Sequence, residues 1–156
     1  MDQSGAMVLD EAALLARMPQ QPPFLFLNQA LVGGKQASAQ YRITGNESFL
    51  TGHFKGNPVF PASISIEALG QLAVLLLLTG QHPELQKPVN PASIYFSSCD
   101  GVRCTRICRP GDLLEIQVRL LRLRHPVATF EGSIQVDGTK ASRVEALSLV
   151  FDFAAS

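Results

Sequence analysis

The sequence predicts an α+β fold in which one long, buried helix is wrapped by an antiparallel sheet. Three observations predict it. The run from Ala62 to about Thr79 is apolar nearly all round, whereas a surface helix keeps a polar side. Leu114, Ile116, Val118 and Leu120 alternate with Glu115, Gln117 and Arg119, and Ala128, Phe130, Ile134 and Val136 alternate with Thr129, Glu131, Ser133 and Gln135. That period of two turns one face of each strand toward a core. Finally, Asp137-Gly138 between two such runs is a hairpin signal, because glycine takes positive φ without steric penalty.

The elements follow in order. Asp10 caps a short helix through Met18, with Glu11 in its first turn and Pro19 stopping it. Gln20 to Pro23 is an extended connector into the apolar Phe24-Leu25-Phe26-Leu27. Residues 37–44 and 94–99 have strand composition. The long helix between them is ended by Gly80 and Pro83, and Arg109-Pro110-Gly111-Asp112 suits a type II turn. No repeat, linker or low-complexity tract interrupts the chain, so residues 1–156 read as one domain.

Composition bounds the function. Charged residues make up 17%, below the roughly 25% of ordinary soluble domains, and 46% are hydrophobic, which leaves apolar surface for a subunit interface or a well-filled core. Thirteen basic residues cancel thirteen acidic ones, so no global field favours nucleic acid or an anionic membrane. The start Met1-Asp2-Gln3-Ser4-Gly5 lacks the charged and apolar regions of a secretory signal, which favours a cytoplasmic setting. Leu72 to Leu78 is far shorter than the roughly 20 residues of a membrane span. Cys99, Cys104 and Cys108 match no zinc spacing and read as structural thiols.

The chemistry concentrates where "GHFKGNPVFP" runs into the helix. Polar positions along the helix include Ser63, Ser65, Glu67 and Gln71, and the last two share a face. Burial raises a glutamate's pKa and makes Glu67 a candidate acid; the alternative is a hydrogen-bonded carboxylate at an interface. His53 is either a turn residue or a base. Gly52 and Gly56 beside it allow close backbone approach, Pro58 and Pro61 stiffen the loop, and the helix start offers unpaired N–H groups to a carbonyl oxygen. A histidine that takes an α-proton, N–H groups that hold enolate-like charge and an acid that protonates a β-hydroxyl together suit elimination of water.

The run "GHFKGNPVFPASISIEALGQ" resembles the signature of the (3R)-hydroxyacyl-[acyl carrier protein] dehydratases, G-H-F-x-G-x-P-x-x-P-G followed by E-A-x-x-Q. The resemblance extends almost end to end, through "PPFLFLNQAL", "IYFSSCDGVRCTRICRPGD" and the late "VDG". It implies a hot-dog fold and a homodimer, in some members a trimer of dimers, with each site shared across the interface. By position it makes His53 the base and Glu67 the acid, with no metal or other cofactor. Gly52, Phe54, Pro61, Ala62, Ser63 and Gln71 would lie on the substrate, with Tyr95 and Phe96 lining its tunnel. Lys55, Arg103, Arg106 and Arg109 would meet the carrier protein or its phosphopantetheine phosphate.

This chain departs from the pattern at three places. Ala62 stands where the family has glycine, Asn28-Gln29-Ala30 replaces an early "DRV", and Cys99-Asp100 replaces "ID". Two other functions fit the same fold: thioester hydrolysis with Glu67 activating water, and a non-catalytic acyl-binding or partner subunit. Retention of both His53 and Glu67 favours dehydration over either, and the departures leave polyketide- or polyene-type assembly as open as fatty acid synthesis.

Overall fold

The computed structural model describes residues 5–79 and 82–155; Gly80, expected to stop the long helix, and residues 1–4, read for a signal, lie outside them. After β1 (Met7–Leu9), Asp10 Oδ1 accepts from the Ala13 N–H at 2.9 Å and starts α1 (Glu11–Arg17). Gln21 then reaches back, its Nε2 donating to the carbonyls of Leu15 at 2.8 Å and Met18 at 2.9 Å. The connector therefore turns at Pro22–Pro23 instead of extending, with the Phe24 N–H donating to Gln21 O at 2.8 Å.

Next come β2 (Gln29–Val32) and β3 (Gln36–Arg42), then α2 (Ala62–Thr79). The remaining strands are β4 (Tyr95–Cys104), β5 (Leu113–Arg124), β6 (Val127–Val136) and β7 (Thr139–Val150). All pair antiparallel in one seven-stranded sheet of order β1-β2-β3-β5-β6-β7-β4, wrapped around α2. The two-residue turn joining β6 to β7 has Asp137 at φ 51° and Gly138 at φ 75°, with Val136 facing Thr139. Gly111, at φ 93°, and the Asp112 N–H bond to Arg109 O at 3.0 Å make the expected type II turn.

The helix is long and apolar enough by composition to cross a bilayer, but it packs as a core helix, with Ala68, Leu69, Leu72, Ala73, Leu75, Leu76 and Leu77 fully covered. It packs tightly on the sheet at Gly132, where a Cβ would sit 2.9 Å from Leu69 Cδ2 and 3.2 Å from Gln117 O. A cluster of rings packs beside it. Phe26 lies 5.7 Å from Tyr41, 6.0 Å from Phe49 and 6.2 Å from Phe60, all edge-on. This cluster fixes the two segments that flank the helix start.

β4 is one of the sheet's two edge strands, with β1 at the other end, and is exposed along almost its whole length. Its exposed faces explain why the alternation visible in β5 has no counterpart here. The strand runs on past residue 99 to Cys104 because β7 still pairs with it, Cys104 facing Ser142.

Candidate active site

The loop holding His53 is closed by its own backbone. Phe54 and Asn57 exchange N–H···O bonds of 2.7 and 2.8 Å, and the Val59 N–H donates to His53 O at 2.8 Å. Phe60 bridges to Cys108, anchoring the loop to the segment after β4. Arg109 ties it from outside: Nη1 donates to Asn57 Oδ1 at 2.7 Å and lies 3.5 Å from Pro58 O. Gly56, at φ 68°, needs glycine, whereas Gly52, at φ −96°, does not.

The His53 ring stacks on Phe54 at 3.9 Å, and its Nδ1 lies 2.7 Å from Val59 O. A carbonyl only accepts, so Nδ1 carries the proton and Nε2 keeps its lone pair in the neutral ring. That is the tautomer a base requires.

His53 lines a recess of about 330 Å³ with Ala62, Ser65, Cys104, Cys108 and Ser142. The Pro61 carbonyl accepts from the N–H groups of Ile64 at 3.0 Å and Ser65 at 3.1 Å. Among the described residues those of Ala62 and Ser63, both exposed, have no partner. They can therefore polarise a bound carbonyl, and the Ala62 side chain leaves its own N–H free. Three larger hollows lie elsewhere: two, of about 520 and 450 Å³, contain no histidine, and a third, of about 370 Å³, is lined by His125 with Arg122 and Arg124.

Glu67 faces elsewhere. It is two residues beyond Ser65, about 200° around the helix, and does not line the recess. Its Oε2 accepts from Gln71 Nε2 at 3.0 Å. Burial pushes its pKa up, and the Gln71 hydrogen bond pulls the other way. Gln71 is fully buried; its Oε1 accepts from the Phe26 N–H at 2.8 Å and its Nε2 also donates to Phe24 O at 3.1 Å. With both ends of its amide engaged, Gln71 holds Glu67 against the Phe24–Phe26 segment and has no group left for a substrate.

The other expected residues separate into two groups. Pro61 caps the helix, Phe54 is exposed, and Tyr95 and Phe96 are 65% and 45% exposed on the β4 edge. Phe96 packs on Gly70 of α2, where an added Cβ would lie 3.1 Å from its ring. Of the basic residues, Arg106 donates to Val136 O at 3.1 Å and sits 3.7 Å from Asp137, and Arg109 holds the His53 loop. Lys55 and Arg103 are exposed. Among the described residues no three His, Cys, Asp or Glu side chains gather closely enough to hold a metal ion.

Sequence reasoning passed over Val59, which orients His53 by its carbonyl, and Asn57, which Arg109 grips. It noted Ser65 only as a polar helix position. The signal that would have raised it is its spacing of three from Ala62, which places both on one face.

The model of the FabA-like domain matches residues 18–145. The chain belongs to the FabA-like family. A FabA-like relative named 3-hydroxyacyl-[acyl-carrier-protein] dehydratase FabZ, from Thermomicrobium roseum, is 36% identical over 137 residues, covering 86% of this chain and 88% of that protein. A protein of the same name from Caulobacter vibrioides is 34% identical, covering 92% and 89%. Among solved structures, the dehydratase heterocomplex ApeI:P from Xenorhabdus doucetiae aligns with a TM-score of 0.72 at 24% identity, covering 88% of this chain and 90% of that one. The fluoroacetyl-CoA thioesterase FlK aligns with a TM-score of 0.59 at 9% identity, covering 78% and 87%. These two likenesses establish the hot-dog fold that this FabA-like chain shares with them.

Proposed function

We propose that this chain removes water from a 3-hydroxyacyl thioester carried on acyl carrier protein, giving the trans-2-enoyl thioester in fatty acid biosynthesis. The observation that carries the reading is the His53 tautomer, set by Val59 O, in the same recess as Ala62 at the start of α2, where the Ala62 and Ser63 N–H groups have no partner among the described residues. His53 Nε2 takes the proton from C2. The N–H groups of Ala62 and Ser63 hold the negative charge that grows on the thioester oxygen. Glu67, kept protonated to higher pH by burial, gives its proton to the departing 3-hydroxyl.

Because Ser65 and Glu67 point about 200° apart on one helix, His53 and Glu67 of one chain do not serve one recess. We assign the acid to a second copy. The unpaired β4 edge supports that copy: a long exposed edge with Tyr95, Phe96 and Val102 on it invites strand pairing. Antiparallel pairing about the middle of β4 would lay Tyr95 and Phe96 toward the partner's recess, which suits them as tunnel walls. Residues 1–156 form one domain in this account, working as a homodimer, and its free thiols suit a cytoplasmic setting. Lys55 and Arg103 are the cations free to meet the carrier.

The test is incubation with a 3-hydroxyacyl thioester on carrier protein, followed by mass spectrometry. Loss of water with the thioester intact is expected. Release of the acyl group as a free acid would replace dehydration by hydrolysis, and no change in mass would leave an acyl-binding role.

A further inference from the structure

Only three polar side chains are buried among the described residues, and two of them, Ser65 and Ser142, line the recess that holds His53. Ser142 donates to Cys104 Sγ at 3.9 Å. Ser65 differs. The residue is 2% exposed and no hydrogen bond of its hydroxyl is found among the described residues; the fully buried side-chain atom left unpaired among them is Gln20 Oε1, so the Ser65 hydroxyl is the part of this residue that opens onto the recess. A hydroxyl that opens onto a confined recess beside a base, with no protein partner, is placed to bond a polar group of the bound molecule.

Resting on the dehydratase reading, we infer that the Ser65 hydroxyl binds the 3-hydroxyl oxygen of the substrate and is a further catalytic residue. The placement selects that oxygen. Ala62 and Ser65 are three apart on one face of the helix, and Ser65 lies about 4.5 Å deeper along the axis. With the thioester oxygen on the N–H groups of Ala62 and Ser63, C3 is two bonds further in, toward Ser65. The enoyl product has no oxygen at C3, so the contact is made with the substrate and lost on elimination.

The step balances without further reagents. His53 accepts the C2 proton, the C2–H electron pair becomes the second C2–C3 bond, and the C3–O pair leaves on oxygen. Glu67 of the second chain supplies the proton that turns that oxygen into water. Ser65 keeps its own proton and donates a hydrogen bond to the oxygen as negative charge develops on it.

The experiment compares the parent with Ser65→Ala in two measurements: kcat/KM for dehydration of the carrier-bound 3-hydroxyacyl thioester, and competitive inhibition by the saturated acyl thioester of equal length. Dehydration is expected to fall about 10- to 100-fold, as for loss of one hydrogen bond to a charged oxygen, while inhibition by the saturated thioester stays the same. Unchanged dehydration would overturn the inference. So would an equal loss in both measurements, which would give Ser65 a role in shaping the recess. A parent that binds the saturated thioester but dehydrates nothing would remove the dehydratase reading itself, and this inference with it.

Discussion

His53 owes its tautomer to a carbonyl six residues away, and burial on the far side of the helix pushes the Glu67 pKa up. In the proposed reaction Glu67 sets an upper pH limit. Glu67 must be protonated to act, so dehydration should decline as pH rises through its raised pKa. The same shift bears on stability. Below the ordinary carboxylate pKa both folded and unfolded chains hold the proton; as pH rises the unfolded chain loses its proton first, so stability falls until pH passes the folded value. Glu67→Gln should therefore melt higher than the parent at neutral pH, match it near pH ~4, and lose dehydration by about 100-fold or more. Melting curves at both pH values check it; a parent of equal stability to the variant at neutral pH would deny the shift. Arg109 makes a different prediction. Because it grips Asn57 and Pro58 of the histidine loop, Arg109→Ala should slow carrier-bound substrate and a small thioester mimic alike. Arg103→Glu should slow mainly the carrier-bound one, and that gap should shrink with salt. A carrier-selective loss at Arg109 would return it to a docking role.

Elements with a strong period were legible from the sequence, and those without one were not. α2 spans the expected Ala62–Thr79, because no polar stripe breaks its apolar run and Pro61 marks its start. β5 and β6 show their alternation because only one face of each meets the core. β4 was half read, since an edge strand exposed on both faces carries no alternation to find. β1 and β2, of three and four residues, are too short to show a period. In the site, the histidine loop and helix start were legible as a local motif, whereas the grip of Arg109 on Asn57 joins residues 52 apart and leaves no local trace. Glycines divide the same way. Gly132 is demanded by helix-to-sheet packing, so Gly132→Ala should cost about 1–3 kcal/mol in denaturant unfolding. Gly52→Ala, with open space around it and a negative φ, should change stability little. Equal costs would mean that the helix can shift away from the sheet.

At the scale of the whole molecule, the sheet ends on an open edge at β4, and one chain turns the His53 recess and Glu67 to different sides of one helix. In the proposed homodimer a second copy resolves both: it would cover β4 and bring Glu67 to each His53. The low charged fraction pointed to an interface, but nothing local in the sequence says which strand forms it, because edge position is a property of the finished sheet. The most direct test of the shared site is to mix His53→Ala and Glu67→Ala subunits, each inactive alone, under conditions where subunit exchange is verified by mass. Random reassortment of equal amounts should restore about one quarter of parental dehydration, since half of the dimers carry one intact site of two. Mixtures that exchange subunits fully and stay inactive would contradict a site built from both chains.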